Sequence, residues 1–209
     1  TCSAFLTASQ RQRWSAYAEQ AVWNVWNYQN AKWGSRSAPW SGWSIDNPGN
    51  NYHYSFLEAT MNWALASRNP TWMSLLQSDK LPKLEAYYRA LATGGSQEGT
   101  GYGTAQMRLF EIYRLWRDAT GIDLANANPH ESNTIRWWVH ATVPTLDRFA
   151  PLGDQSRSST PGQPCGAIQA RAEASSTHRR TRWPWPASWV ARRQHTPISP
   201  KLSITRQNT

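Results

Sequence analysis

Apolar residues recur every three or four positions in segment after segment of this chain. Nowhere do they alternate with polar ones in the manner of a half-buried strand, so the reachable fold is all-α. Over residues 7–33, Trp14, Tyr17, Ala21 and Val25 mark one stripe, and Ala18, Val22, Trp26 and Trp33 widen it. Ser9 is the predicted N-cap and Gly34 the predicted C-terminal stop. Residues 51–67 repeat the pattern with Phe56, Leu57, Met61, Ala64 and Leu65 inward, until Asn69-Pro70 breaks it. A short helix over 71–78 and a longer one over 81–92 follow, and Gly94-Gly95 ends the second. Residues 103–119 set Met107, Phe110, Ile112, Tyr113, Leu115 and Trp116 on one side, and Gly121 closes that helix. A last amphipathic helix over 130–149 runs through Ile135, Trp138, Val139 and Leu146, kinked or shortened by Pro144.

This succession predicts helical hairpins stacked side by side. Helices 51–67 and 103–119 share a Gly- or Asn-rich polar loop, a Tyr at the entrance and an apolar stripe. They read as a repeating unit whose polar entrances gather at one rim. The connection 34–50, GSRSAPWSGWSIDNPGN, is long for a compact domain, and such loops are often functional. It holds Trp40 and Trp43, which no helix obliges to be there. Fourteen tryptophans in 209 residues carry much of a 39% hydrophobic content. An indole suits a face where apolar surface meets a sugar ring, because it is flat and keeps one N–H donor. Filling a helical core is the competing use.

Composition changes near residue 160. Net charge is +9, but residues 1–150 carry 13 Lys and Arg against 11 Asp and Glu, and residues 151–209 carry 9 against 2. The basic character therefore belongs to the tail, and no nucleic-acid partner is inferred from it. In the tail Pro, Ser, Arg, Thr and Gln dominate, and Pro184, Pro186, Pro197 and Pro200 deny any long helix. Three readings are open: a basic binding arm, a disordered tail, or translation after a shift of reading frame near residue 160, which is favoured. Cys2 and Cys165 lie one in each region, so a disulfide is not expected, and no metal-ligand spacing is present. No apolar run nears the roughly 18 residues that span a membrane. The chain begins at Thr1 without a signal peptide, which reads as a trimmed chain or a fragment.

Three polar stretches stand out at predicted helix ends: Asn50 to Tyr54, Gln97 to Gly103, and Pro151 to Arg157. The runs NNYHYSFLEATMNWALA, GGSQEGTGYGTAQMRLFEIYRLWRDATG and PLGDQSRSS resemble the helical N-terminal domain of the heparinase II/III-like polysaccharide lyases, over roughly residues 45–158. The Glu-Gly-x-x-Tyr stretch from Glu98 to Tyr102 is the most specific element.

The resemblance implies an incomplete (α/α) toroid over 1–158, followed by a disordered or frameshifted tail over 159–209. The family's β-sandwich has no room here. It implies β-elimination at a uronate of an acidic polysaccharide, with no cofactor and no metal ligand in this chain, in the periplasm or outside the cell. That chemistry needs a donor to neutralise the substrate carboxylate, a base for the C5 proton and an acid for the leaving oxygen. On this scheme Asn51 and His53 bind the carboxylate, Tyr102 and Tyr54 serve as acid and base, and Glu98 orients a neighbour or contacts sugar hydroxyls. Arg157, three residues after Asp154, pairs with a substrate carboxylate. Trp40 and Trp43 stack on sugars, and the helix ends are expected to converge on an indole-lined groove within reach of Glu98 and Tyr102. Gly95 departs from the family, which often carries a His there.

Other uses of these residues stand beside that scheme: Glu98 capping the following helix, His53 on the surface, and both tyrosines packing helices. Two other functions compete with the lyase, whose fragment is expected to be inactive or weakly active alone. One is a non-catalytic glycan-binding domain. The other is a glycoside hydrolase on a similar toroid, for which no convincing carboxylate pair is visible.

Overall fold

The computed structural model describes residues 5–91 and 93–153. Cys2, Cys165, Asp154, Arg157 and the tail expected over 159–209 lie outside the described residues. Within them the protein is mostly helical, with one small antiparallel sheet. The helices are α1 (Ala8–Trp26), α2 (Asn51–Ser67), α3 (Pro70–Leu75), α4 (Leu81–Ala90), α5 (Gly103–Thr120) and α6 (His130–Ala141).

The N-cap of α1 is Thr7 rather than Ser9. Its hydroxyl accepts from Gln10 N–H while the Gln10 side chain accepts from Thr7 N–H, a reciprocal capping box. The helix stops at Trp26, not Trp33, because Asn24 recruits the downstream chain. Its Oδ1 accepts from Lys32 N–H at 3.0 Å and its Nδ2 donates to Lys32 O at 2.8 Å. After a short turn over Tyr28–Asn30 the chain returns as β1 (Lys32–Trp33) and β2 (Arg36–Ser37). Gly34, at φ +59°, sits in the hairpin turn instead of ending a helix.

The predicted range of α2 matches the structure. Asn50 Oδ1 accepts from Tyr52 N–H at 3.0 Å, and Arg68 ends the helix in the left-handed region at φ +54°. Asn69 then caps α3, with Pro70 at its first turn. The expected gap between residues 78 and 81 is instead a wide π turn over Leu76–Lys80 leading into α4. Pro82, which has no N–H to donate, accounts for that local widening. The chain enters α5 through a tight turn over Gly99–Tyr102 and leaves at Gly121.

The expected helix 130–149 ends at Ala141. Pro144 biases Val143 away from helix, and the chain doubles back so that Thr142 bridges Phe149. Leu146, at φ +60°, is exposed, and so is Val139, so neither belongs to the core face.

The core gathers on α2 and α5, which pack against each other, with α1 and α3 also against α2. Leu57, Met61 and Ala64 of α2 join Leu109, Phe110 and Trp116 of α5 in one buried cluster. Each large side chain buried there contributes about 1.5–3 kcal/mol. Glu19 fastens three helices with one carboxylate. It accepts from the indole N–H of Trp63 at 2.5 Å and of Trp72 at 2.9 Å, and from Asn69 Nδ2 at 3.5 Å.

Candidate functional site

Residues 98–100 join the described parts of the three polar stretches, reaching the first turn of α2 on one side and residues 150–153 on the other. Glu98 Oε1 accepts from Asn51 N–H at 2.9 Å, so Glu98 caps a helix 47 residues upstream rather than the one that follows it. Thr100 holds the third stretch. Its N–H donates to Leu152 O at 3.1 Å, its hydroxyl donates to Ala150 O at 2.8 Å, and Leu152 N–H donates back to that hydroxyl at 3.3 Å. Gly99 allows this approach, since a Cβ there would overlap Leu152 O, and its φ of +73° suits glycine. Gly49, at the start of the same junction, lies against the Tyr87 hydroxyl and the Gln97 amide.

Among the proposed catalytic side chains, His53 lies on the first turn of α2 and is buried, not on the surface. Its Nδ1 donates to Ser44 O at 3.2 Å, which leaves Nε2 buried with no hydrogen-bond partner among the described residues. Burial lowers its pKa below the ordinary imidazole value, and Lys80 adds to the effect. Tyr54 is 1% exposed, and its hydroxyl pairs with that of Tyr88. Burial raises its pKa, with Tyr87 and Glu98 adding to the rise. At neutral pH Tyr54 is thus a protonated hydroxyl inside the core, suited to donating a hydrogen bond and not to removing a carbon-bound proton. Complete burial also raises the pKa of Tyr88, whose ring touches that of His130, 4.1 Å between centroids. Tyr102 is half-buried at the start of α5 and packs on the core edge.

The sugar-stacking candidates occupy a different place. A cavity of about 580 Å³ opens between α1, the hairpin and α2, lined by Trp33, Trp40, Trp43, Tyr52 and Phe56. Trp40 forms its half-buried wall. Its indole N–H donates to Asn24 O at 3.0 Å, and its ring packs on Tyr28 and Phe56 with centroids 6.0 and 5.6 Å apart. Trp43 is 64% exposed and Tyr52 is 56% exposed, so both present free ring surface. Glu98 and Tyr102 are not in this lining, and the expected convergence of indoles with those two side chains is corrected accordingly. The two regions adjoin through the first turn of α2, where Tyr52 stands between Asn51 and His53, and through Ser44, the chain neighbour of Trp43 whose carbonyl accepts from His53.

Sequence reasoning missed Trp33, Tyr52 and Phe56 as lining residues. Trp33 and Phe56 were read as members of helical stripes and Tyr52 as an entrance marker. Among the described residues, no group of three or more His, Cys, Asp or Glu side chains is placed to hold a metal ion. No described helix is long and apolar enough to cross a membrane. No family model, curated protein or solved structure matches the chain.

Proposed function

We propose that this chain binds a polysaccharide in the aromatic cavity beside α2, as the helical opening of an incomplete (α/α) toroid. The observation that carries this reading is the exposed ring surface of Trp43 and Tyr52 opposite the fixed wall of Trp40. Monomeric proteins rarely leave such large apolar rings exposed together without using them. A flat ring edged by a single N–H donor offers a pyranose face an apolar platform with a polar rim. The toroid is supported by the succession of helices α1 to α6 around α2 and α5. A polymer-binding role fits the periplasm or the outside of the cell, where such polymers are met.

The test is calorimetric titration of the chain with polygalacturonate, alginate and a neutral glucan, beside Trp43→Ala. Truncating a central Trp in a contact surface costs about 2 kcal/mol, so affinity should fall about thirtyfold. No binding by the parent chain to any of the three removes the proposal.

A second reading is favoured by the meeting of Asn51, Glu98 and the 150–153 segment at one helix end. It makes the chain part of a lyase that cleaves an acidic polysaccharide by β-elimination. Asn51 would address the substrate carboxylate, Tyr102 would carry the proton, Glu98 would orient the first turn of α2, and His53, buried like Tyr54, would support that turn without touching the substrate. Burial of Tyr54 assigns it a supporting role beneath that turn. The appearance of an unsaturated uronate, read by ultraviolet absorbance on the same polymers, separates this reading from binding alone.

A further inference from the structure

A second cavity, of about 710 Å³, lies on α1 and is lined by Arg13, Trp14, Tyr17 and Ala18. None of these residues belongs to the aromatic cavity beside α2, yet the two adjoin. Tyr17 of the second and Trp33 of the first stack on each other with centroids 5.0 Å apart and planes inclined by 21°. Trp14 is 63% exposed and Tyr17 65% exposed, so the ring surface continues along α1 past the hairpin. Helix geometry gives the row its direction: Arg13 and Tyr17 are four residues apart, as are Trp14 and Ala18, and Trp14 and Tyr17 are three apart, so the four line one face of α1.

Charge distinguishes this end. The Arg13 side chain is exposed and makes no hydrogen bond or ion pair among the described residues, while that of its neighbour Arg11 donates to Leu6 O. Neither cavity has an Asp or Glu in its lining. A guanidinium beside exposed rings, with no carboxylate competing for it, matches a planar acid group carried on a stacked ring.

We infer that the α1 cavity is an outer subsite of the same binding track, in which Arg13 pairs with the carboxylate of a uronate while Trp14 and Tyr17 carry its ring. This rests on the reading that the cavity beside α2 binds polysaccharide, and adds reach and acid selectivity to it. The ligand must then be long enough to cover both cavities, and short oligomers reach only one.

The experiment titrates the full chain with oligogalacturonides of increasing length, and with the same oligomers after reduction of their carboxyl groups. The parent chain is compared with Arg13→Gln, Trp14→Ala and Trp43→Ala, all at exposed positions. In the parent, affinity should rise with length and fall on carboxyl reduction. Arg13→Gln should lower affinity for long acidic oligomers about tenfold, leaving short and reduced oligomers unchanged. Trp14→Ala should weaken long oligomers of both kinds. If Arg13→Gln binds long acidic oligomers as the parent does while Trp43→Ala loses them, the outer subsite is refuted and the inner cavity stands. If the parent binds no oligomer of any length, both fall together.

Discussion

Replacing Glu98 by Gln separates the structural work of this carboxylate from any chemical work. Its Oε1 takes the Asn51 N–H at 2.9 Å, at the positive end of α2, and the side chain is 8% exposed. Gln keeps an acceptor oxygen there and removes the charge. A hydrogen bond to a charged group contributes about 1.5–3 kcal/mol and a neutral one about 0.5–1.5 kcal/mol. A carboxylate at a helix N-terminus adds about 0.3–1 kcal/mol through the dipole. The loss is therefore about 1–2 kcal/mol. In a chain of this size about 2–4 °C of Tm corresponds to each kcal/mol, so the midpoint should fall by about 2–8 °C. Ala removes the acceptor as well and leaves a buried N–H unsatisfied, costing about 3 kcal/mol. Far-ultraviolet circular dichroism melts of parent, Glu98→Gln and Glu98→Ala read the series directly. An unshifted midpoint in both variants, or equal losses in the two, would refute the capping argument.

Three further outcomes follow from the geometry. His130 is fully buried, and burial lowers its pKa from 6.5 to about 4. The folded state thus prefers the neutral ring, and the contribution is complete above pH 6.5 and lost as pH falls toward about 4. Its full size is about 3 kcal/mol, and His53 acts in the same direction. His130→Asn should flatten the dependence of Tm on pH across that window, and an unchanged slope would contradict it. Glu19→Ala leaves the Trp63 and Trp72 indole N–H groups without their carboxylate, costing about 2–4 kcal/mol and altering the near-ultraviolet dichroism. Preservation of both signals would argue against the three-helix fastening. Gly99→Ala should cost more than about 2 kcal/mol and release the 150–153 segment, read as faster amide exchange at Thr100 and Leu152. Retained protection there would mean the close approach is not needed.

How far the fold could be read from sequence depended on whether its signals were local. The limits of α2 were legible because Asn50, Asn69 and Pro70 act within two or three residues of their own positions. The end of α5 was legible for the same reason at Gly121. The end of α1 was not, since it is set by Asn24 reaching Lys32 across a turn that helical periodicity runs straight through. The break before Pro82 looked like a loop and is a widened turn, because a missing N–H can be absorbed without leaving the helix. At the site, the special character of the three polar stretches was visible, but the partner that Glu98 selects was not. A cap across 47 residues has no local mark. The aromatic cavity was half-legible: Trp40 and Trp43 stood out in a long loop, whereas Trp33 looked like the last turn of a helix.

The claim on which the account depends is that ring faces beside α2 hold a sugar chain. Indole N–H resonances of the labelled chain, followed while polygalacturonate is added, test it at the level of single residues. The account requires the Trp33 and Trp43 signals to move in a saturable way, while those of Trp116 and Trp138, 1% and 0% exposed, stay in place. Saturable shifts confined to other tryptophans, or no shift at Trp43, would contradict it.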